Sequence, residues 1–143
     1  IKRTVPPPVL LMFDGSNRDQ CEVQRLRTNT PLQALVMLND PTVLEASRVL
    51  AERLLEKSNA IEANIDEAFQ RIICRKPKPT EIQLLLQYYK EEQANFKKEV
   101  KKAEQLLKVG EFPQANIKDR ASLAALMQVI HTIYNMEEAI MKT

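Results

Sequence analysis

A polar stretch around two helix starts carries the residue types best suited to binding an anion. Its two arginines can form fork-shaped hydrogen bonds to carboxylate or phosphate, and helix N-termini bind the same groups. Its amide and carboxylate side chains add further donors and acceptors. The candidate ligand-binding residues are Arg25, Arg27, Asn29, Gln33, Asn39 and Asp40.

The same cluster has a simpler interpretation, in which it only fixes a turn. Arg25 and Arg27 would then pair with Asp40 or with helix C-terminal carbonyls, because buried polar groups need partners. We favour this structural interpretation. Full pairing of the cluster would support it, whereas an open cleft would support a ligand site.

Other chemistry finds little support in the sequence. Cys21, Cys74 and the single histidine, His131, are far apart and make a poor zinc set. The Cys-x-x-Cys-His motif for haem attachment is missing, and His131 lies in an apolar stretch that predicts a core position. We therefore predict no catalytic residue, no metal site and no cofactor in this chain.

The elements that position these residues are helices. Thr30-Pro31 begins a short helix that Asn39-Asp40-Pro41 interrupts, and Asp40 can cap the next one. A third helix is predicted from about Ile61 to Arg75. A capping box at Thr80 predicts a long helix to Lys108, and an apolar segment predicts a central helix from Asp119 to Met141. The seam of the long helix is Ile82, Leu86, Tyr89, Gln93, Phe96, Val100, Ala103 and Leu107.

Composition supports an all-α class. The chain has 143 residues, two glycines and a net charge of +2, which fits one domain and gives no strong attraction to nucleic acid. No apolar run is long enough for a membrane span. We predict one domain over 1–143: an extended, Pro-rich N-terminal arm (1–30), whose apolar run Leu10–Phe13 docks on the core, and an irregular bundle of about five helices (30–143).

The sequence resembles a domain of unknown function. That domain occurs near the C-terminus of very large planctomycete-type proteins, and also in Bacteroidetes-like bacteria. The likeness is strong over residues 1–41 and looser beyond. It rests on Lys2-Arg3-Thr4-Val5-Pro6-Pro7-Pro8, Phe13-Asp14, Cys21, Arg25 to Leu35 and Leu38-Asn39-Asp40-Pro41, and further along on Phe69, Arg75, Pro77, Glu81 and Gly110-Glu111-Phe112-Pro113.

The resemblance implies export, so we expect a periplasmic, cell-surface or extracellular location. It implies a parent protein with a separate c-type cytochrome domain, where any haem would lie, and sometimes with carbohydrate-binding modules. It supplies no catalytic residues, and it implies that Ile1 begins inside a longer family domain. Export would also permit a Cys21–Cys74 disulfide, although a bundle of this size needs no such staple.

These observations predict a non-catalytic helical packing and interaction module of a larger exported, cytochrome-associated protein. Its partners would be other domains of that protein. The alternative is the C-terminal part of an enzyme, perhaps polysaccharide-related, to which the Arg25–Asp40 cluster contributes a ligand pocket. For this chain alone we expect no enzymatic activity.

Overall fold

The computed structural model describes residues 31–140, with side chains from residue 35 onward. Within that range the chain forms seven helices and no strand, which confirms the all-α class and the irregular helical bundle. The helices are α1 (Pro31–Asn39), α2 (Pro41–Lys57), α3 (Ile61–Ile73), α4 (Pro79–Lys98), α5 (Val100–Leu107), α6 (Arg120–Tyr134) and α7 (Glu137–Ile140).

The boundary between α1 and α2 lies where the sequence predicts it. Asp40 is the N-cap of α2, and its carboxylate accepts a hydrogen bond of 2.8 Å from the backbone N–H of Thr42. Pro41 occupies the first turn of α2, where its missing N–H costs no helical bond. Local chemistry alone therefore determines this break.

The third helix ends at Ile73, two residues before the predicted end at Arg75. Cys74 adopts a left-handed conformation (φ 63°), and its N–H donates to the carbonyl of Gln70. A left-handed C-terminal residue is a common way to end a helix, although glycine usually occupies it. The prolines at 77 and 79 follow this cap rather than causing the end.

Two predictions about the long helix are wrong. The N-cap is Lys78 rather than Thr80, because Pro79 occupies the first helical position and Glu81 accepts a 2.6 Å hydrogen bond from the Lys78 N–H. The helix also breaks at Glu99, whose φ of −122° and ψ of 66° lie outside the helical region. Consequently Val100, a predicted seam residue, is 51% exposed.

The break at Glu99 serves packing rather than any local preference. Beyond it, Ala103 and Leu107 of α5 are fully buried in the core, and α5 packs against α6. A straight continuation of α4 would carry these side chains along the α4 axis, so tertiary contacts override helical propensity here.

Helix α6 is the centre of the bundle, as its apolar sequence predicts. It packs against α2, α3, α4 and α5, and almost all of its side chains from Ser122 to Ile133 are buried. It ends at Tyr134 instead of continuing to Met141, because the chain turns at Asn135 and Met136 before α7 begins. Met141 lies outside the described residues.

Candidate functional site

The predicted ligand cluster is described only in part. Asn39 donates from Nδ2 to the carbonyl of Leu35 at 2.8 Å, and Asp40 caps α2. Both side chains therefore bond at helix ends. Arg25, Arg27 and Asn29, as well as the side chain of Gln33, lie outside the described residues, so a ligand site formed by the six residues stays a prediction.

A buried arginine that the sequence reasoning did not single out lies near the middle of α2. Arg48 is 0% exposed. Its Nη1 donates to Glu52 Oε1 at 2.7 Å, its Nη2 to the carbonyl of Phe112 at 2.7 Å and its Nε to the carbonyl of Val109 at 3.2 Å. The guanidinium thus binds one carboxylate and two carbonyls of the loop between α5 and α6.

The same loop is held by a second side chain of α2. The N–H of Phe112 donates to Glu45 Oε1 at 2.5 Å. Gly110 has a φ of +89°, a backbone conformation that favours glycine. A Cβ atom there would also displace the carboxyl group of Glu45, which binds the Phe112 N–H. We call Glu45, Arg48 and Glu52, together with the loop 109–112, the Arg48 clamp.

A second charged cluster joins α3, α4 and α7. Arg75 donates to both oxygens of Glu81 at 2.8 and 2.9 Å and to both oxygens of Glu138 at 2.7 and 3.0 Å. Its guanidinium also lies 4.9 Å from the centre of the Phe69 ring, a cation–π distance. The hydrogen bonds from Arg75 lower the pKa of Glu81 to about 2. We call these four residues the Arg75 cluster.

The polar seam residue Gln93 has partners inside the bundle. Its Nε2 donates to Ser122 Oγ at 2.6 Å and to the Tyr89 hydroxyl at 3.2 Å. Ser122 in turn donates to Asp119 at 2.5 Å, and this bond is the main cause of the lowered pKa of Asp119. The network links α4 to the start of α6 and satisfies the polar groups.

His131 is a core residue, as predicted, and is 6% exposed. Its burial lowers the pKa of the imidazole, and the backbone of Met37 in α1 opposes that effect. Two buried atoms at this end of α6, His131 Nε2 and Asn135 Oδ1, have no hydrogen-bond partner. Asn135 does donate from Nδ2 to the carbonyl of His131 at 2.8 Å.

Near this end of α6 lies a groove of about 470 Å³. Its walls are mainly apolar and come from α1, α2, α3, α6 and α7, and two arginines also line it. We call it the α1–α7 groove; the side chains that form it include Met37, Val49, Leu50, Arg53, Arg71, Ile72 and Tyr134.

Neither a metal centre nor a membrane span emerges from residues 31–140. In this part of the chain, no three His, Cys, Asp or Glu side chains are grouped so as to hold a metal ion. None of its helices is both long and apolar enough to cross a bilayer.

The fold and these clusters define an all-α domain whose described polar groups mostly connect helices and loops to one another. The model of one protein family, "PSD1: Protein of unknown function (DUF1553)", matches residues 1–89. Because the match covers more than half of the chain, the protein belongs to this family. No curated protein and no solved structure matches the chain.

Proposed function

We propose that this chain is a non-catalytic helical packing and interaction module of a larger exported, cytochrome-associated protein. The sequence resemblance supports export to the periplasm or cell surface, a separate haem-bearing domain and an association of the parent protein with carbohydrate. The partners of the module would be the other domains of that protein. It would contribute a rigid surface rather than reactive groups.

One observation carries this proposal: the described motif residues make structural contacts. Asp40 caps α2, the Arg75 cluster joins three helices, and the Gly110–Pro113 loop is fixed by Arg48 and Glu45. A residue that already makes several intramolecular hydrogen bonds is costly to redirect to a substrate. These motif residues are therefore better suited to maintaining a shape than to catalysis.

Helix α1 supplies an outward surface for such a module. Leu35 is 54% exposed and Leu38 is 46% exposed. Residues three apart in a helix lie on one face, so the two leucines form an apolar strip next to the most motif-rich part of the sequence. Apolar side chains grouped on a surface are typical of protein contacts.

The proposal is tested by photo-crosslinking in the full-length gene product. A benzoylphenylalanine at position 38 should crosslink to a domain outside residues 1–143. The matched control replaces Leu84, which is 67% exposed on α4, and should give no such crosslink. Both variants keep the buried core intact, because neither position is buried.

Three outcomes would refute the proposal. The first is a gene product that contains only this chain, and the second is a position-38 crosslink that forms only within residues 1–143. The third is equal crosslinking from positions 38 and 84, which would show that the α1 face has no preference for a partner.

A further inference from the structure

The α1–α7 groove has the size and the lining of a small-molecule site. Its volume of about 470 Å³ falls within the range of roughly 300–1,000 Å³ that ligand pockets occupy, and such pockets often lie between the helices of a bundle. The walls are mainly apolar, and Val49, Ile72 and Tyr134 among them stay half-buried. Covering these side chains would remove apolar area from water, which is favourable.

One face of α2 gives the groove a direction. The α2 residues that line it are Ala46, Val49, Leu50 and Arg53. Their spacing of three and four positions places them on a single face of the helix. The apolar members come first, and Arg53 follows roughly 10 Å further along the helix axis than Ala46. The groove therefore has an apolar end beside Ala46 and a cationic end beside Arg53.

The cationic end has a positive charge to spare. Lys57 lies one turn after Arg53 on α2, and both Lys57 and Arg71 pair with Glu67. Arg53 itself forms no hydrogen bond and no ion pair within residues 31–140, and none of the described residues that line the groove is acidic. One carboxylate is thus shared by two of three neighbouring basic side chains, and Arg53 is left to bind an anion.

We propose that the α1–α7 groove binds an amphipathic carboxylate, a small molecule that joins an alkyl chain of medium length to one carboxylate. The alkyl chain lies against the apolar wall, and the carboxylate pairs with Arg53. A guanidinium fork matches the geometry of a carboxylate, and a single negative charge matches the single unpaired arginine. This inference goes beyond the proposed function, because the α1 face can contact a partner domain whether or not the groove holds a ligand.

Calorimetric titration of the 143-residue chain tests the proposal, after any lipid carried over from expression has been removed. The probe is dodecanoate, used below its critical micelle concentration. We expect saturable binding of one dodecanoate per chain. Dodecyltrimethylammonium, which has the same alkyl chain on a positive head, should bind at least about tenfold more weakly. Acetate, which has the carboxylate without the chain, should give no measurable binding.

Two substitutions place the ligand in the groove. Arg53→Gln should weaken dodecanoate binding by about tenfold or more, because a hydrogen bond to a charged group is lost. Its control is Lys101→Gln, which removes the same charge at an exposed position on α5. Ala46→Phe should also weaken binding, because the ring fills the apolar end, and Ala94→Phe on the exposed face of α4 is its control. All four positions are exposed, and circular dichroism checks that each variant has folded.

Three results would overturn the proposal. The first is the absence of saturable dodecanoate binding to the 143-residue chain. The second is equal binding of dodecanoate and dodecyltrimethylammonium, because the arginine would then play no part. The third is dodecanoate binding that Arg53→Gln and Ala46→Phe change no more than their controls do, which would place the ligand outside the groove.

Discussion

Replacing Arg48 with methionine should destabilise the bundle more than any surface substitution. Methionine keeps much of the apolar stem but removes every donor. Glu52, which is also buried, would lose its partner at 2.7 Å, and the carbonyls of Val109 and Phe112 would lose theirs. Removing one member of a buried ion pair costs about 3–5 kcal/mol. Because water can reach the loop carbonyls once the loop loosens, we expect a total loss of about that size.

The assay is urea denaturation followed by circular dichroism, with the free energy of unfolding extrapolated to water. Arg71→Met is the control, since Arg71 is exposed and pairs with Glu67 one turn away, an arrangement worth about 0.3–0.5 kcal/mol. Adding Glu52→Met to Arg48→Met should recover about 1 kcal/mol or more, because the unpaired buried charge is removed. The reasoning fails if Arg48→Met loses no more stability than Arg71→Met, or if the second substitution deepens the loss.

Three further outcomes are expected from the same structure. Gly110→Ala should cost about 1–3 kcal/mol in a urea melt, because of its positive φ and the overlap with Glu45; an unchanged midpoint would contradict this. Glu81 has its folded pKa lowered to about 2 by Arg75, so its stabilising effect is present above the unfolded value of about 4.3 and is lost as the pH falls toward 2. In thermal melts, the Tm of the native chain should therefore exceed that of Glu81→Gln above this pH range, and the difference should disappear as the pH falls through it. A difference in Tm that stays constant with pH would contradict this. Burial lowers the pKa of His131, so the native chain should lose stability as the pH falls below about 6.5, where the unfolded histidine takes up a proton. His131→Leu should not show this loss. Equal dependence of the Tm on pH in the two proteins would argue against the prediction.

The sequence predicted the start of α2, which local chemistry determines. Asp40 and Pro41 mark the start of α2 through a cap and a first-turn proline, and both positions are confirmed. The break at Glu99 has no glycine or proline to announce it. The break follows from the packing of α5 against α6. Contacts between two separate helices cannot be read from the periodicity of one of them.

The Arg48 clamp was missed for a related reason, although a signal was present. Arg48 lies inside the apolar stripe of α2, next to the buried Ser47, and has Glu45 and Glu52 one turn away on either side. A charged residue flanked in this way within a buried stripe indicates an internal ion pair. Its loop partners, Val109 and Phe112, could not be predicted, because they are more than sixty residues away.

The hydrophobic core includes residues on both sides of position 89, where the family match ends. The family match ends at residue 89, inside α4, yet the helix that buries the apolar faces of α2, α3 and α4 is α6, from Arg120 to Tyr134. The clamp adds hydrogen bonds from α2 to the loop that leads into α6. Residues before and after position 89 therefore share one hydrophobic core, and the matched segment without α6 would expose the surfaces that hold its own helices together.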